Sequence, residues 1–197
     1  MPCGILKSVM ISAKAYDRHV EQLFEVLNRV SAAFREADIE YRVIGGIAVY
    51  LHVAERDELA ARVTRDIDLS VNRRDLNRIA EAVRPYGFAL RHVASIDMLV
   101  DAAKPSARSA VHLVMAGERV RPTDIAPIPE FSAPVETSEG ILIVPVADLL
   151  RMKLTSFRLK DKVHIQDLDG VGLITPEVEA SLPGELLKRL TEVRETR

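Results

Sequence analysis

Apolar residues recur at three- and four-residue steps at Val20, Leu23, Phe24, Leu27, Val30 and Phe34. This spacing predicts an amphipathic helix over much of residues 13–37, its stripe turned toward a core. The pattern then changes period. YRVI at 41–44 reads as a short strand and residues 47–53 as the start of a helix. DIDLSV at 66–71 alternates strictly between polar and apolar, as a strand with two unlike faces does. Asn72 is placed to cap a helix running to about Val83, with Asp75 in its first turn and Pro85 and Gly87 closing it. Residues 88–93 and 110–115 are further strand candidates, and the stretch between them is left unassigned. Residues 119–140 hold Pro122, Pro127, Pro129 and Pro134 with few periodic apolar positions, which predicts a surface connector rather than an element. ILIV at 141–144 is a short strand, and the remainder is helical, with Thr175 capping a turn that opens on Pro176.

Strands interleaved with helices predict a mixed α/β fold (α+β, with a mixed sheet). Three regions follow: a core over 1–118, the proline-rich connector over 119–140, and a short strand with a helical subdomain over 141–197. No internal repeat interrupts this division.

Composition narrows the function classes. At 197 residues the chain is long enough to bury a sizeable core. Its 48% apolar and 28% charged content is that of a globular chain rather than a disordered or membrane-embedded one. A net charge of −2 excludes a bulk electrostatic grip on nucleic acid, while leaving room for a local basic patch. The absence of tryptophan argues against a base-stacking platform. Cys3, the single cysteine, has no internal disulfide partner. The apolar letters ILKSVMI are broken by Lys7, and no run reaches the roughly 18 residues of a membrane span. The expected compartment is the cytoplasm.

The chemistry concentrates in three places. Alternate strand residues face the same way, so Asp66 and Asp68 project two carboxylates on one face while Ile67 and Leu69 face the other. Two acids so close repel unless a cation sits between them, and Mg2+ takes carboxylate oxygens together with substrate phosphates and retained waters. Taken alone, such a pair is equally a solvated face of a sheet. Gly45 and Gly46 stand between a strand and a helix, where glycine lets backbone N–H groups approach an anion at the helix N-terminus; a tight turn alone would also call for them. In VADLLRMKLTSF at 146–157, Lys153 falls inside the apolar stripe of Val146, Leu149, Leu150, Leu154 and Phe157. Its ammonium either snorkels to water or meets a negative partner, which a triphosphate would supply. Arg158, Lys160 and Lys162 form a basic face beyond it. His19, His52, His92 and His164 are scattered and read as structural.

These residues together resemble the nucleotidyltransferase superfamily, and within it the AbiEii-type proteins of toxin–antitoxin systems. The likeness lies in GG at 45–46, in RVTRDIDLSV at 62–71, where Arg62, Thr64, Asp66 and Asp68 follow an Arg-x-Thr-x-Asp-x-Asp pattern, and in RMKLTSFRLKDKVHIQDL at 151–168, where Lys153, Arg158, Asp161 and Asp167 match. It implies a nucleotidyltransferase-like core with a helical C-terminal part closing a nucleotide cleft. A nucleoside triphosphate would be the substrate, held at the phosphates by Gly45, Gly46, Thr64 and Lys153. Asp66 and Asp68 would hold Mg2+, in a two-metal arrangement. An acceptor hydroxyl, on RNA or on protein, would attack the α-phosphorus, and an antitoxin-like protein would be the partner.

Two departures accompany the resemblance. Gly46 and Asp66 are farther apart than is usual in the superfamily, the extra ERDELAA at 55–61 being absorbed as a longer helix or loop. The third acid, expected on a later strand, is replaced by His112 in AVHLVMAG at 110–117; Asp97 in SIDML is the other candidate for that position. A neutral imidazole can act as general base near neutral pH, but it is a poorer Mg2+ ligand than a carboxylate. The alternative function is a catalytically degenerate module of the same fold that binds nucleotide or a partner.

Overall fold

The structure, a computed structural model, describes residues 4–62, 64, 66–103 and 110–196, the side chains of residues 4–19 excepted; Cys3 lies outside this range. Helix α1 (Gly4–Glu36) leads into β1 (Tyr41–Ile44) and α2 (Gly45–Arg56), followed by β2 (Ile67–Val71) and α3 (Leu76–Ala82). Strands β3 (Phe88–Val93), β4 (Ile96–Asp101) and β5 (Val111–Met115) come next, then the two-residue β6 (Val135–Glu136) and β7 (Leu142–Ile143). Four helices close the chain: α4 (Val146–Ser156), α5 (Leu159–Gly170), α6 (Pro176–Ala180) and α7 (Gly184–Glu195).

All the strands join one seven-stranded mixed sheet in the order β3-β4-β5-β2-β1-β7-β6. Strand β2 sits at its centre, antiparallel to β1 and parallel to β5. Tyr41, Val43, Ile67, Leu69, Val71, Val111, Leu113 and Met115 are all buried and share one face. Phe34 of α1 meets the Tyr41 ring at 5.4 Å and 71°, which places α1 on that face. Leu27, Val30 and Phe34 of its stripe are fully buried, as their spacing demands. The opposite face carries Ile44, Asp68 and His112 in register.

The sequence pattern diverges from the structure in three particulars. β4 lies in the stretch left unassigned, because IDMLVD alternates only partly: Met98, Leu99 and Val100 are buried in a row between exposed Ile96 and half-buried Asp101. Asn72 precedes a 3-10 turn at Arg73–Asp75 and makes no side-chain capping bond; Thr175 does cap its helix, accepting from the Val178 amide. The proline-rich segment, read as a surface connector without elements, contains the short β6 and is pinned to the body of the fold. Ser132 accepts from the buried Arg42 guanidinium at 2.6 Å and donates to Asp148 at 2.6 Å, while Phe131 lies under that guanidinium at 4.8 Å. The segment is thereby strapped to β1, and β6 extends the sheet.

The junction of α4 and α5 is the most charged point of the interior. Asp161 is fully buried and accepts from Lys153 Nζ at 3.2 Å, Ser156 Oγ at 2.7 Å, and the backbone N and Nε of Arg158 at 3.2 and 2.8 Å. Burial alone would push its carboxyl up, but the Arg158 hydrogen bond, the Lys153 charge and the Ser156 hydroxyl outweigh it and hold it at about 2. Burial pulls Lys153 below its ordinary value against the attraction of Asp161. Between the two helices Phe157 adopts φ 48, a left-handed conformation that a bulky residue rarely takes. Its ring is flanked by Lys162 Nζ at 4.3 Å and the Arg189 guanidinium at 4.8 Å. Asp161 thus ties together both sides of a strained turn.

Removing that carboxylate strands a buried ammonium, so Asp161→Ala is expected to lower the unfolding free energy at pH 7 by about 3–5 kcal/mol in denaturant titrations. The folded-state value lies below the unfolded one, so this stabilisation is complete above about pH 4 and disappears as pH falls through about 2. In the wild type that amounts to about 2 kcal/mol of acid-sensitive stability, a component missing from the variant's pH profile.

Candidate active site

β1 ends at Ile44, whose register partner on β2 is Asp68. The chain then turns straight into α2 through Gly45 at φ 71, a left-handed conformation open to glycine at little cost. Space enforces the same choice. A Cβ on Gly45 would lie 2.1 Å from Asp68 Oδ2, and one on Gly46 would lie 2.5 Å from Thr64 Oγ1. The first turn of α2 therefore packs directly on the arm that leads into β2. The far end of α2 is held by buried His52, whose Nε2 contacts the Val144 carbonyl at 2.8 Å.

Asp68 is in parallel register with His112 on β5, and His112 Nδ1 lies 3.2 Å from Asp68 Oδ1. The hydrogen bond to Asp68 raises the His112 pKa against the pull of burial, and the charges of Asp68 and Asp66 add to the rise. Asp68 contacts the imidazole directly, and Asp66 acts on it through its charge. Side-chain exposures of 27% for Asp68 and 29% for His112 leave the group open to a ligand. Asp97 does not belong to it: it pairs with Leu113, whereas Met98 pairs with His112, so Asp97 projects from the other face and contacts His92 at 2.8 Å. The strand position beside Asp68 is held by His112.

The α4–α5 junction supplies the positive side. Lys153 and Arg158 lie within electrostatic reach of Asp68, and Lys160 within reach of His112. Lys153 does turn inward, and its partner there is Asp161. The sequence pattern had not paired those two residues, although their eight-residue separation across a helix break was visible. Arg62 Nε reaches Asp167 Oδ1 at 3.0 Å, joining the stretch before β2 to α5.

The donor chemistry suits Mg2+ in one respect. Asp66 and Asp68 are hard oxygen donors, and the ion commonly takes one or two carboxylates with substrate phosphates and water completing its shell. Among the described residues no group of three or more His, Cys, Asp or Glu is placed to hold a metal. The described residues offer the acids Asp66 and Asp68, with the His112 imidazole beside Asp68. A cleft of about 920 Å3, lined by Tyr41, Arg42, Asn72 and Arg74 among others, opens at the opposite ends of β1 and β2.

Gly45→Ala is expected to cost more than left-handed strain alone, and Gly172→Ala supplies the reference. Gly172 has φ 73 with nothing within 4 Å of its would-be Cβ. By denaturant titration Gly172→Ala should lose about 1 kcal/mol and Gly45→Ala at least about 1 kcal/mol more; equal losses would mean that the Asp68 contact imposes no constraint.

Neither a protein-family model nor a curated protein matches the sequence. Solved structures do. An antigenic nucleotidyltransferase-like protein from Paracoccidioides brasiliensis superposes with a TM-score of 0.59 at 16% identity, over 90% of this chain and 89% of that one. ANT(2")-Ia in complex with adenylyl-2"-tobramycin gives a TM-score of 0.46 at 14% identity, over 89% of each chain. At such identities the likeness is one of fold. The mixed sheet with its flanking helices is a nucleotidyltransferase-like fold.

Proposed function

We propose that the protein is an AbiEii-type nucleotidyltransferase that moves a nucleoside monophosphate from a nucleoside triphosphate to an acceptor hydroxyl, with Mg2+ held by Asp66 and Asp68. The reading is carried by one observation: the glycine turn and Asp68 touch, with His112 on the other oxygen of the same carboxylate. A phosphate chain seated on that turn would meet the N-terminal amides of α2 and the Thr64 hydroxyl, where backbone donors and the helix dipole favour an anion. Lys153 would place positive charge behind the phosphates, flanked by Arg158 and Lys160. Bound Mg2+ would supply neutralisation of phosphate charge and alignment of the displaced group.

Transfer then needs an acceptor hydroxyl in line with the α-phosphorus and pyrophosphate on the opposite side. His112 is the base within this set: with Nδ1 turned to Asp68, Nε2 would take the hydroxyl proton as the oxygen attacks. The basic residues beyond Lys153 suit an RNA acceptor, and a protein hydroxyl would meet the same chemistry. A toxin role, an antitoxin-like partner and a cytoplasmic setting go with this reading. No helix among the described residues is long and apolar enough to cross a membrane.

A second reading is favoured by the imidazole in place of the third acid. A module that binds nucleotide or a partner without turnover needs the cradle and the acid pair but no base. Calorimetric titration of each nucleoside triphosphate with and without Mg2+ separates nucleotide binding, common to the enzyme and a nucleotide-binding module, from a module that binds only a partner. Wild type should bind only with the metal present, and Asp66→Asn should lose at least about tenfold in affinity, about 1.4 kcal/mol. Incubation with labelled nucleotide and total RNA or protein then distinguishes them: label transferred by wild type and not by His112→Ala marks the enzyme, whereas binding without transfer marks the module. Metal-independent binding, or none, would overturn the proposal.

A further inference from the structure

Between the end of α2 and the start of β2, the described residues 57–62, 64 and 66 include two of the site, Thr64 and Asp66. Thr64 bears on Gly46 and Asp66 bears electrostatically on His112. A single turn of 3-10 helix at Glu58–Ala60, capped by Asp57, shapes the first part of this stretch. Farther on, Arg62 donates through Nε to Asp167 Oδ1 at 3.0 Å. The partners differ in environment: the Arg62 side chain is 69% exposed, whereas Asp167 is 11% exposed, and its second oxygen, Oδ2, is buried with no hydrogen-bond partner among the described residues.

A buried carboxylate with one oxygen unsatisfied costs stability rather than adding it, and an ion pair with an exposed arginine returns little. The pair is thus poorly explained as a stabilising contact. Its placement explains it better. Asp167 sits on α5, which is fixed at its start by the Asp161 cluster and farther along by Lys162–Glu192 at 2.6 Å and Asp169–Arg194 at 2.9 Å to α7. Arg62 is two residues before Thr64 and four before Asp66. A tether at Arg62 therefore transmits the position of a rigid helix to the two residues that complete the site.

We infer that the Arg62–Asp167 ion pair is a positioning device that holds the arm bearing Thr64 and Asp66 against the glycine turn. Its consequence for nucleotide handling rests on the function proposed above; the positioning does not. Displacements of about 1 Å in such groups can change rates by up to about 100-fold, so a contact that adds little stability can still weigh heavily on the site.

The test is 15N relaxation on the full chain for wild type, Arg62→Ala, Asp167→Asn and Arg62→Lys, with Mg2+-dependent ATP titration of the same proteins. The order parameters of the Thr64 and Asp66 amides are expected to fall by about 0.2 in Arg62→Ala and Asp167→Asn. Arg62→Lys should recover part of that loss, and the Ile165 amide should be unchanged throughout. ATP affinity should weaken by roughly tenfold in the first two variants, with partial recovery in the lysine variant. Unchanged order parameters at Thr64 and Asp66 in Arg62→Ala would overturn the inference; this variant alters an exposed side chain, so its fold is safe even if Asp167→Asn proves unstable. Lowered order parameters in a protein whose wild type binds no nucleotide would leave the positioning intact and remove the proposed function instead.

Discussion

The site depends on a side chain that is missing. The carboxylate of Asp68 occupies space that any Cβ at position 45 would need, and the left-handed turn of Gly45 directs the chain into α2 at the point where β1 and β2 are paired. Those two facts bring the N-terminal end of a helix, with its unpaired N–H groups and positive dipole end, against an anionic side chain on the central strand. Thr64 repeats the arrangement one residue along, on Gly46. Sheet register does the rest, since pairing Asp68 with Ile44 on one side and with His112 on the other leaves the carboxylate little choice of neighbours.

The opposing charge comes from a part of the chain that carries its own strain. Phe157 in a left-handed conformation sharply reverses the path between α4 and α5, and a buried Lys153 would be costly in an apolar stripe. Asp161 answers both problems with one carboxylate. It bonds to the lysine before the turn, to Ser156 within it, and to Arg158 after it. This keeps Lys153 and Arg158 within electrostatic reach of Asp68, so the stability of the helical junction and the electrostatics of the cleft have a common origin.

Most of the elements were legible in the sequence because their faces differ. The stripe of α1, the alternation of β2 and the inward placement of Lys153 all follow from which positions must be dry. What was not legible depends on contacts distant in sequence. In β4, Met98, Leu99 and Val100 are buried in a row, so its alternation is diluted; the segment around Ser132 read as a surface connector because its anchors, Arg42 and Asp148, are supplied by β1 and α4. Lys153 and its partner Asp161 are close in sequence, but no helical period links them across the helix break, and the choice between His112 and Asp97 turned on a single step of register. A shift by one residue moves a side chain to the other face, and no periodicity in either strand contains that information.

The two oxygens of Asp68 have different neighbours, and this bears on what the histidine does. Oδ1 faces the imidazole of His112, whereas Oδ2 faces the glycine turn. A carboxylate in place of His112 would add a third negative charge and leave the group without internal compensation. The imidazole instead satisfies one oxygen and leaves the other directed at the cradle. Oδ2 is thus the oxygen turned to the first turn of α2, while His112 occupies the Oδ1 side of the same carboxylate. With Nδ1 engaged by Asp68, Nε2 is the remaining ring nitrogen of His112, and it is the atom that the proposed transfer would use as its proton acceptor.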